Sequence, residues 1–335
     1  MRPILLLVLC FGFGATPAAA AESWTCPKPT GLAEPLACGD ADLAGLESRT
    51  AGALAAATAR LSAAGQTRLR DDQASWRKYL AVLCLGERQP GGAGIADCLK
   101  QEYDARRTEL VRAVESIGGV TLLRNERFEA RPARLADETS HPVLTLIAWP
   151  QLDRPANAAQ RRWNEAMAKS AEQLAIPLDR QDPDTDIAVD YRVEFVGAEL
   201  IQTLFSRDLY IHGAAHGDDT SVASLFLLQP GRPLTAEDLF DPVKPWRRGL
   251  AELAYHELAE ASRASGWRLW PQDPGPLADL VAEPGRWLLE REGLVLHFDP
   301  YDIADYAAGL QDVVIAWPAL GPYLQASPAV RLPPR

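Results

Sequence analysis

The spacing of apolar residues changes once along this chain, near Thr121, and that change limits the folds open to it. Upstream, Leu43, Leu46, Thr50, Leu54, Ala57 and Leu61 recur at intervals of three and four, as do Leu69, Gln73, Trp76, Leu80 and Leu83. Ile95, Leu99, Tyr103, Arg106, Leu110 and Val114 do so again. Residues so spaced share one face of an α-helix. Asp40 supplies an N-cap, and Ala64-Gly65 and Pro90-Gly91-Gly92 interrupt the pattern, so three helices are predicted between Asp40 and about Ile117. Downstream, residues 143–147, 187–196, 200–205 and 222–228 read as strands, several of them alternating, with helical segments at 156–174 and 246–264. Hairpin-length links among the middle strands point to an antiparallel sheet packed with helices rather than repeated βαβ units, so the fold class is α+β. The boundary between a helical domain (22–118) and an α+β domain (119–335) falls near residues 116–119.

Residues 1–21 have the layout of a secretory signal peptide: Arg2, an apolar run over 4–13, and Ala18-Ala19-Ala20-Ala21 before Glu22. The apolar run is well short of the roughly 20 residues that span a bilayer, and no later segment is long and apolar enough to do so. Leu9, preceding Cys10, does not suit lipoprotein processing. The expected location is therefore periplasmic or secreted. Export decides how the cysteines are read. Cys26, Cys38, Cys84 and Cys98 remain after cleavage, all in the first third of the chain, and an oxidising compartment favours two disulfides. Three connectivities are open; Cys26 with Cys38 and Cys84 with Cys98 are preferred because each bond closes a loop containing Pro or Gly. Such staples suit the thin core of three short helices. No CxxC spacing occurs and no histidine precedes His141, which argues against zinc at these thiols.

The formal net charge is −11, and nearly all of it lies beyond residue 118. An acidic surface argues against nucleic acid or an anionic membrane as partner and suits a basic one. Catalytic signatures are missing: there is no G-x-S-x-G elbow and no phosphate-cradling glycine loop. His212-Gly-Ala-Ala-His216 has the spacing of a helical zinc site, but Gly213 stands where the general base belongs and the segment lies between strand-like runs. It reads as a hairpin loop with surface histidines. His141, His256 and His297 stand alone in the sequence. No catalytic, cofactor-binding or metal-ligating residue is assigned, and no enzymatic activity is expected. Gln73, Trp76 and Tyr79 fit a core-facing tryptophan with polar flanks better than a carbohydrate platform.

Residues 294–324, LVLHFDPYDIADYAAGLQDVVIAWPALGPYL, join two strand-like runs through a tyrosine-rich loop that opens on Asp299-Pro300 and closes at Gly309. Pro300 and the aromatics read as closure of a sheet, with Gly309 supplying a backbone conformation that other residues resist. Asp299, Asp302 and Asp305 around Tyr301 and Tyr306 also form an acidic, aromatic rim. Tyrosines anchor and carboxylates steer, so these five residues are the candidate contacts for a cationic protein.

Two family resemblances follow from quoted stretches. Cys26 and Cys38, then "LRDDQASWRKYLAVLC" and "CLKQEYDARRTEL", resemble the LprI-type lysozyme-inhibitor N-terminal domain over about 22–118. The matching positions include Gln73, Trp76, Tyr79, Cys84, Cys98, Leu99, Tyr103, Arg106 and Leu110; Leu80 replaces that family's usual arginine. The stretch "HGAAHGDDTSVASLFLLQPGRPLTAEDLF", followed by Phe298, Pro300, Tyr301, Ile303, Ala304, Tyr306, Ala307 and Gly309, resembles the RsiV-type extracytoplasmic domain over about 140–335. Both families include lysozyme binders. The resemblance implies an exported, non-enzymatic protein that binds a lysozyme-like muramidase, with inhibition as the further expectation. Anti-sigma activity is not carried over. Alternatives are an envelope scaffold that binds peptidoglycan and an accessory protein of a cell-wall polysaccharide deacetylase.

Overall fold

The structure, a computed structural model, describes residues 40–85, 94–134, 141–176, 184–327 and 329–330; the expected signal segment (1–21), Cys26 and Cys38 lie outside them. Helix α1 (Ala41–Thr58) begins at the expected cap, where the Asp40 carboxylate accepts hydrogen bonds from the Asp42 and Leu43 amides at 2.9 and 3.1 Å. These amides have no partner inside the helix, so the cap removes a cost the helix end otherwise bears. Helices α2 (Ala63–Leu85) and α3 (Ile95–Arg112) follow, and the Cys84–Cys98 disulfide ties the end of α2 to the first turn of α3. The third helix stops earlier than its apolar spacing implied. Val114–Ile117 form strand β1, paired antiparallel with β2 (Val120–Arg131). Gly118 and Gly119 lie at φ +57° and +78°. Two left-handed residues in succession make a tight hairpin turn, and the flanking Val114, Ile117, Val120 and Thr121 favour strand.

Strand β3 (Val143–Leu152), helix α4 (Ala158–Leu174) and strands β4 (Thr185–Val196), β5 (Leu200–Ile211), β6 (Asp218–Leu227) and β7 (Arg232–Pro233) complete a seven-stranded sheet in chain order. All pairs are antiparallel except β3 and β4, which run parallel because α4 crosses between them. This one βαβ step departs from the antiparallel arrangement expected. Side chains alternate along β3, so it serves two cores. Ile147 and Trp149 meet Trp163, Met167 and Ala171 of α4. Leu144 and Leu146, with Phe128 and Ala130 of β2, meet Trp76, Tyr79, Leu83 and Leu99 of the helices. Trp76 and Tyr79 are thus core residues.

Helix α5 (Trp246–Ser265), the short α6 (Leu277–Leu280), strands β8 (Trp287–Leu289), β9 (Gly293–Phe298) and β10 (Gln311–Ala316) and the short α7 (Trp317–Leu320) build the largest core. Phe240 stacks on Trp246 at 4.7 Å, and Trp287 meets Phe240 edge-on at 5.4 Å while its indole N–H donates to the Val281 carbonyl at 2.8 Å. A buried tryptophan so partnered contributes its apolar area without an orphaned donor. Among the described residues, no helix is long and apolar enough to cross a membrane.

A buried polar network locks the helices to the sheet. Arg106 is fully buried. Its Nε donates to Gln73 at 2.8 Å, and its Nη1 donates to Glu109 at 3.2 Å and to Glu126 of β2. The guanidinium lies 5.0 Å from the Phe128 ring centroid and 5.9 Å from that of Trp76, which meets Tyr103 edge-on at 5.1 Å. The Glu126 amide donates to Asp72 at 3.0 Å. Burial pushes the Asp72 carboxyl up to about 7, against the opposing pull of that amide and of Arg68. The same group ionises near pH 3.9 in an unfolded chain (about 3.9). Between these values the folded state holds a proton that the unfolded state has lost, so stability falls as pH rises from about 4 through about 7. Asp72→Asn keeps an acceptor for the Glu126 amide and removes this slope, gaining roughly 4 kcal/mol on the wild type between pH 4 and pH 8. Thermal unfolding across that range checks it; a wild type–variant difference that does not change with pH contradicts it.

Candidate functional site

The tyrosine-rich loop links β9 to β10, and its conformation follows from a few local facts. Asp299-Pro300 ends β9, and the Asp299 carboxylate turns inward to accept the Ser221 amide of β6 at 2.8 Å. Ile303 and Ala304 are buried, and the Ile303 carbonyl accepts the Trp270 amide at 2.8 Å. Gly309 sits at φ +67° and ψ −166°, a region essentially reserved for glycine, as the sequence indicated. Tyr301 is at φ +71°, the left-handed region, and it is the one non-glycine residue there among those described. A bulky residue at positive φ is held by its surroundings against its own preference.

What holds it is a cluster of rings. His216, from the β5–β6 loop, stacks on Tyr306 with centroids 4.1 Å apart and planes 19° apart. Its Nε2 lies 3.2 Å from the Tyr301 hydroxyl, and its Nδ1 lies 2.8 Å from the Gly217 carbonyl. Because a carbonyl can only accept, Nδ1 carries the proton and Nε2 accepts from Tyr301. Tyr301 and Tyr306 are 5.9 Å apart, and Trp270 extends the cluster 6.4 Å beyond Tyr301. Tyr301 is 49% exposed and Trp270 44%. The tyrosines are therefore not buried in the core, and His216, Tyr301 and Tyr306 converge from distant parts of the chain.

The aspartates divide. Asp299 is half-buried, and burial, with Asp302 nearby, raises its carboxyl to about 6 against the pull of the Ser221 amide. Asp302 pairs with Arg286 and accepts the Asp299 amide at 2.7 Å. Asp305 is exposed and caps the turn at Ala308 through a 3.2 Å bond. Of the five candidate contacts, Tyr301, Tyr306 and Asp305 face outward or border the surface, while Asp299 and Asp302 shape the loop from within.

The histidines also regroup. His212 and His216 lie in the hairpin loop that the sequence indicated but do not share a site. His212 Nε2 lies 3.0 Å from Asp186, and its ring centroid is 4.3 Å from that of His141. His141 is thus not alone in space. His297 pairs with Asp312, and His256 is 3.4 Å from Glu257. The sequence carried the tyrosines of the candidate site as a local pattern, but it missed His216 and Trp270 as ring partners because they come from other loops.

The C-terminal elements around this loop have known relatives. Residues 237–318 match a family described as a protein of unknown function, DUF3298. A DUF3298 domain spans these residues. It contains α5, the three-stranded sheet, Trp270 and both tyrosines, while His216 reaches in from outside. A search of curated proteins finds no match. Among solved structures, a DUF3298 family member from Bacteroides fragilis NCTC 9343 is 14% identical, covering 64% of this chain and 97% of its own, with a TM-score of 0.48. A DUF3298 family protein from Pseudomonas aeruginosa PAO1 is 15% identical, covering 64% and 98%, with a TM-score of 0.47.

Proposed function

We propose that this is an exported, non-enzymatic binding protein whose partner is a cationic, lysozyme-like muramidase, docked on the Tyr301–Tyr306–His216–Trp270 cluster. The observation that carries the reading is the exposed Tyr301, fixed at positive φ by a bond to His216 and flanked by Trp270. A ring fixed before contact loses little freedom on binding, and tyrosine and tryptophan dominate the energetics of protein interfaces. The net charge of −11 adds long-range attraction to a basic protein. The LprI-type and RsiV-type resemblances, both to families with lysozyme binders, supply the partner class, and inhibition is the finer expectation. The Cys84–Cys98 bond and the signal-like first residues fit an extracytoplasmic location.

Exposed rings also suit stacking on sugar faces, so a peptidoglycan-binding scaffold is the second reading. The oxidised mature protein titrated against a panel of lysozymes at two salt concentrations tests the first. Salt-sensitive binding with loss of muramidase activity is the expected result. Binding without loss of activity leaves a capture protein, and retention on purified sacculi with no lysozyme binding transfers the proposal to the scaffold.

A further inference from the structure

At one end of the central strands of the large sheet, remote in sequence from the tyrosine loop, we infer that His141, Asp186 and His212 bind a divalent transition-metal ion of the zinc class. Topology brings them together. β3 and β4 run parallel with Thr145 beside Ile187, and β4 runs antiparallel to β5 with Asp186 beside Tyr210. The start of β3, the start of β4 and the end of β5 therefore lie at the same end of the sheet, and each carries one ligand on it or beside it. The potential ligand atoms all lie within 4.8 Å of one another. His212 Nε2 is 3.0 Å from one Asp186 oxygen, and His141 Nδ1 is 3.9 Å from the other.

The backbone fixes this set. Asp186 accepts the Leu144 amide at 2.8 Å, and the His212 amide donates to the Asp184 carbonyl at 2.9 Å. Zinc bonds of about 2.0–2.2 Å in tetrahedral geometry place ligand atoms roughly 3.3–3.5 Å apart. Closing from the present separations takes shifts of about 1 Å, within reach of partly exposed side chains. Side-chain exposures of 29%, 21% and 13% for His141, Asp186 and His212 leave a path for the ion and an open coordination position for water. His141 Nδ1 also lies 3.0 Å from the Pro142 carbonyl. Ligation through Nε2 keeps that bond as the contact that orients the ring, whereas ligation through Nδ1 gives it up. Two imidazoles and one carboxylate suit zinc and its neighbours, and not calcium or magnesium, which take oxygen ligands.

This inference stands apart from the lysozyme reading, and its test needs no partner. The chelator-treated mature protein is titrated with Zn²⁺ by calorimetry against a competing chelator, and with Co²⁺ followed by visible absorption. The expected result is one ion per chain, with affinity weakened at least about tenfold in both His141→Ala and His212→Ala. His256→Ala, an exposed control, binds as the wild type does. Because His141 is partly exposed and lies just ahead of β3, H141A is the variant that separates loss of a ligand from loss of fold, with circular dichroism unchanged. Absence of Zn²⁺ and Co²⁺ binding by the wild type at about 100 μM metal overturns the proposal. So does binding that survives both histidine substitutions, which places the ion elsewhere.

Discussion

Arg106→Ala lowers stability by about 3–5 kcal/mol, the usual cost of removing one partner from a buried ion pair. The substitution takes the guanidinium from Gln73 and from the buried Glu126, which keeps only Arg124 at 2.8 Å, and Glu109, whose carboxyl burial already raises, loses its ion-pair partner. It also empties the space between Trp76 and Phe128. Arg106 is the point where the helices and the sheet share a polar centre, because α3, α2 and β2 each send a polar group to it. In a chain of this size the change corresponds to a fall in Tm of roughly 5 °C. Arg106→Lys retains charge but not the planar fork, so its loss is intermediate. Arg106→Ala combined with Glu126→Ala costs less than the sum of the two, since both remove the same pair. Thermal and urea unfolding of the set checks this, and strict additivity contradicts the network.

Replacing Cys84 and Cys98 together by alanine costs about 3 kcal/mol. The bond spans a sequence separation of 14, and a loop of that size, once opened, restores freedom to the unfolded chain. Both sulfurs are buried beside Leu83 and Leu99, so alanine leaves a small void as well. The double variant melts below the oxidised wild type and responds less than it to reductant. A variant that melts with the oxidised wild type shows that this bond adds nothing to stability.

Much of this architecture was legible because long elements repeat their signal. The helix read at 246–264 is Trp246–Ser265, and the strand read at 187–196 is Thr185–Val196. The errors have physical causes. Val114 and Ile117 extend the helical spacing of α3, but the Gly118-Gly119 turn and the cross-strand partners of β2 claim them for a strand. The parallel β3–β4 pair was not legible because strand direction depends on where α4 packs, not on local composition. Within the candidate site, Tyr301, Tyr306 and Gly309 form a local pattern that the sequence displays. His216 and Trp270 join them only through the fold, and so does His141 with Asp186 and His212. The inward turn of Asp299 and Asp302 was equally hidden, because their partners Ser221 and Arg286 lie on other elements.

Whether the ring cluster is a binding surface is decided by partner affinity in a Tyr301→Ala, Tyr306→Ala double variant. Calorimetric titration against the lysozyme that binds the wild type most tightly would be compared with the variant at equal salt. The expected result is a loss of about 2–4 kcal/mol, or roughly 30-fold or more in Kd, with unchanged thermal stability of the helical half. Wild-type affinity in a folded double variant would contradict it and move the contact away from this loop.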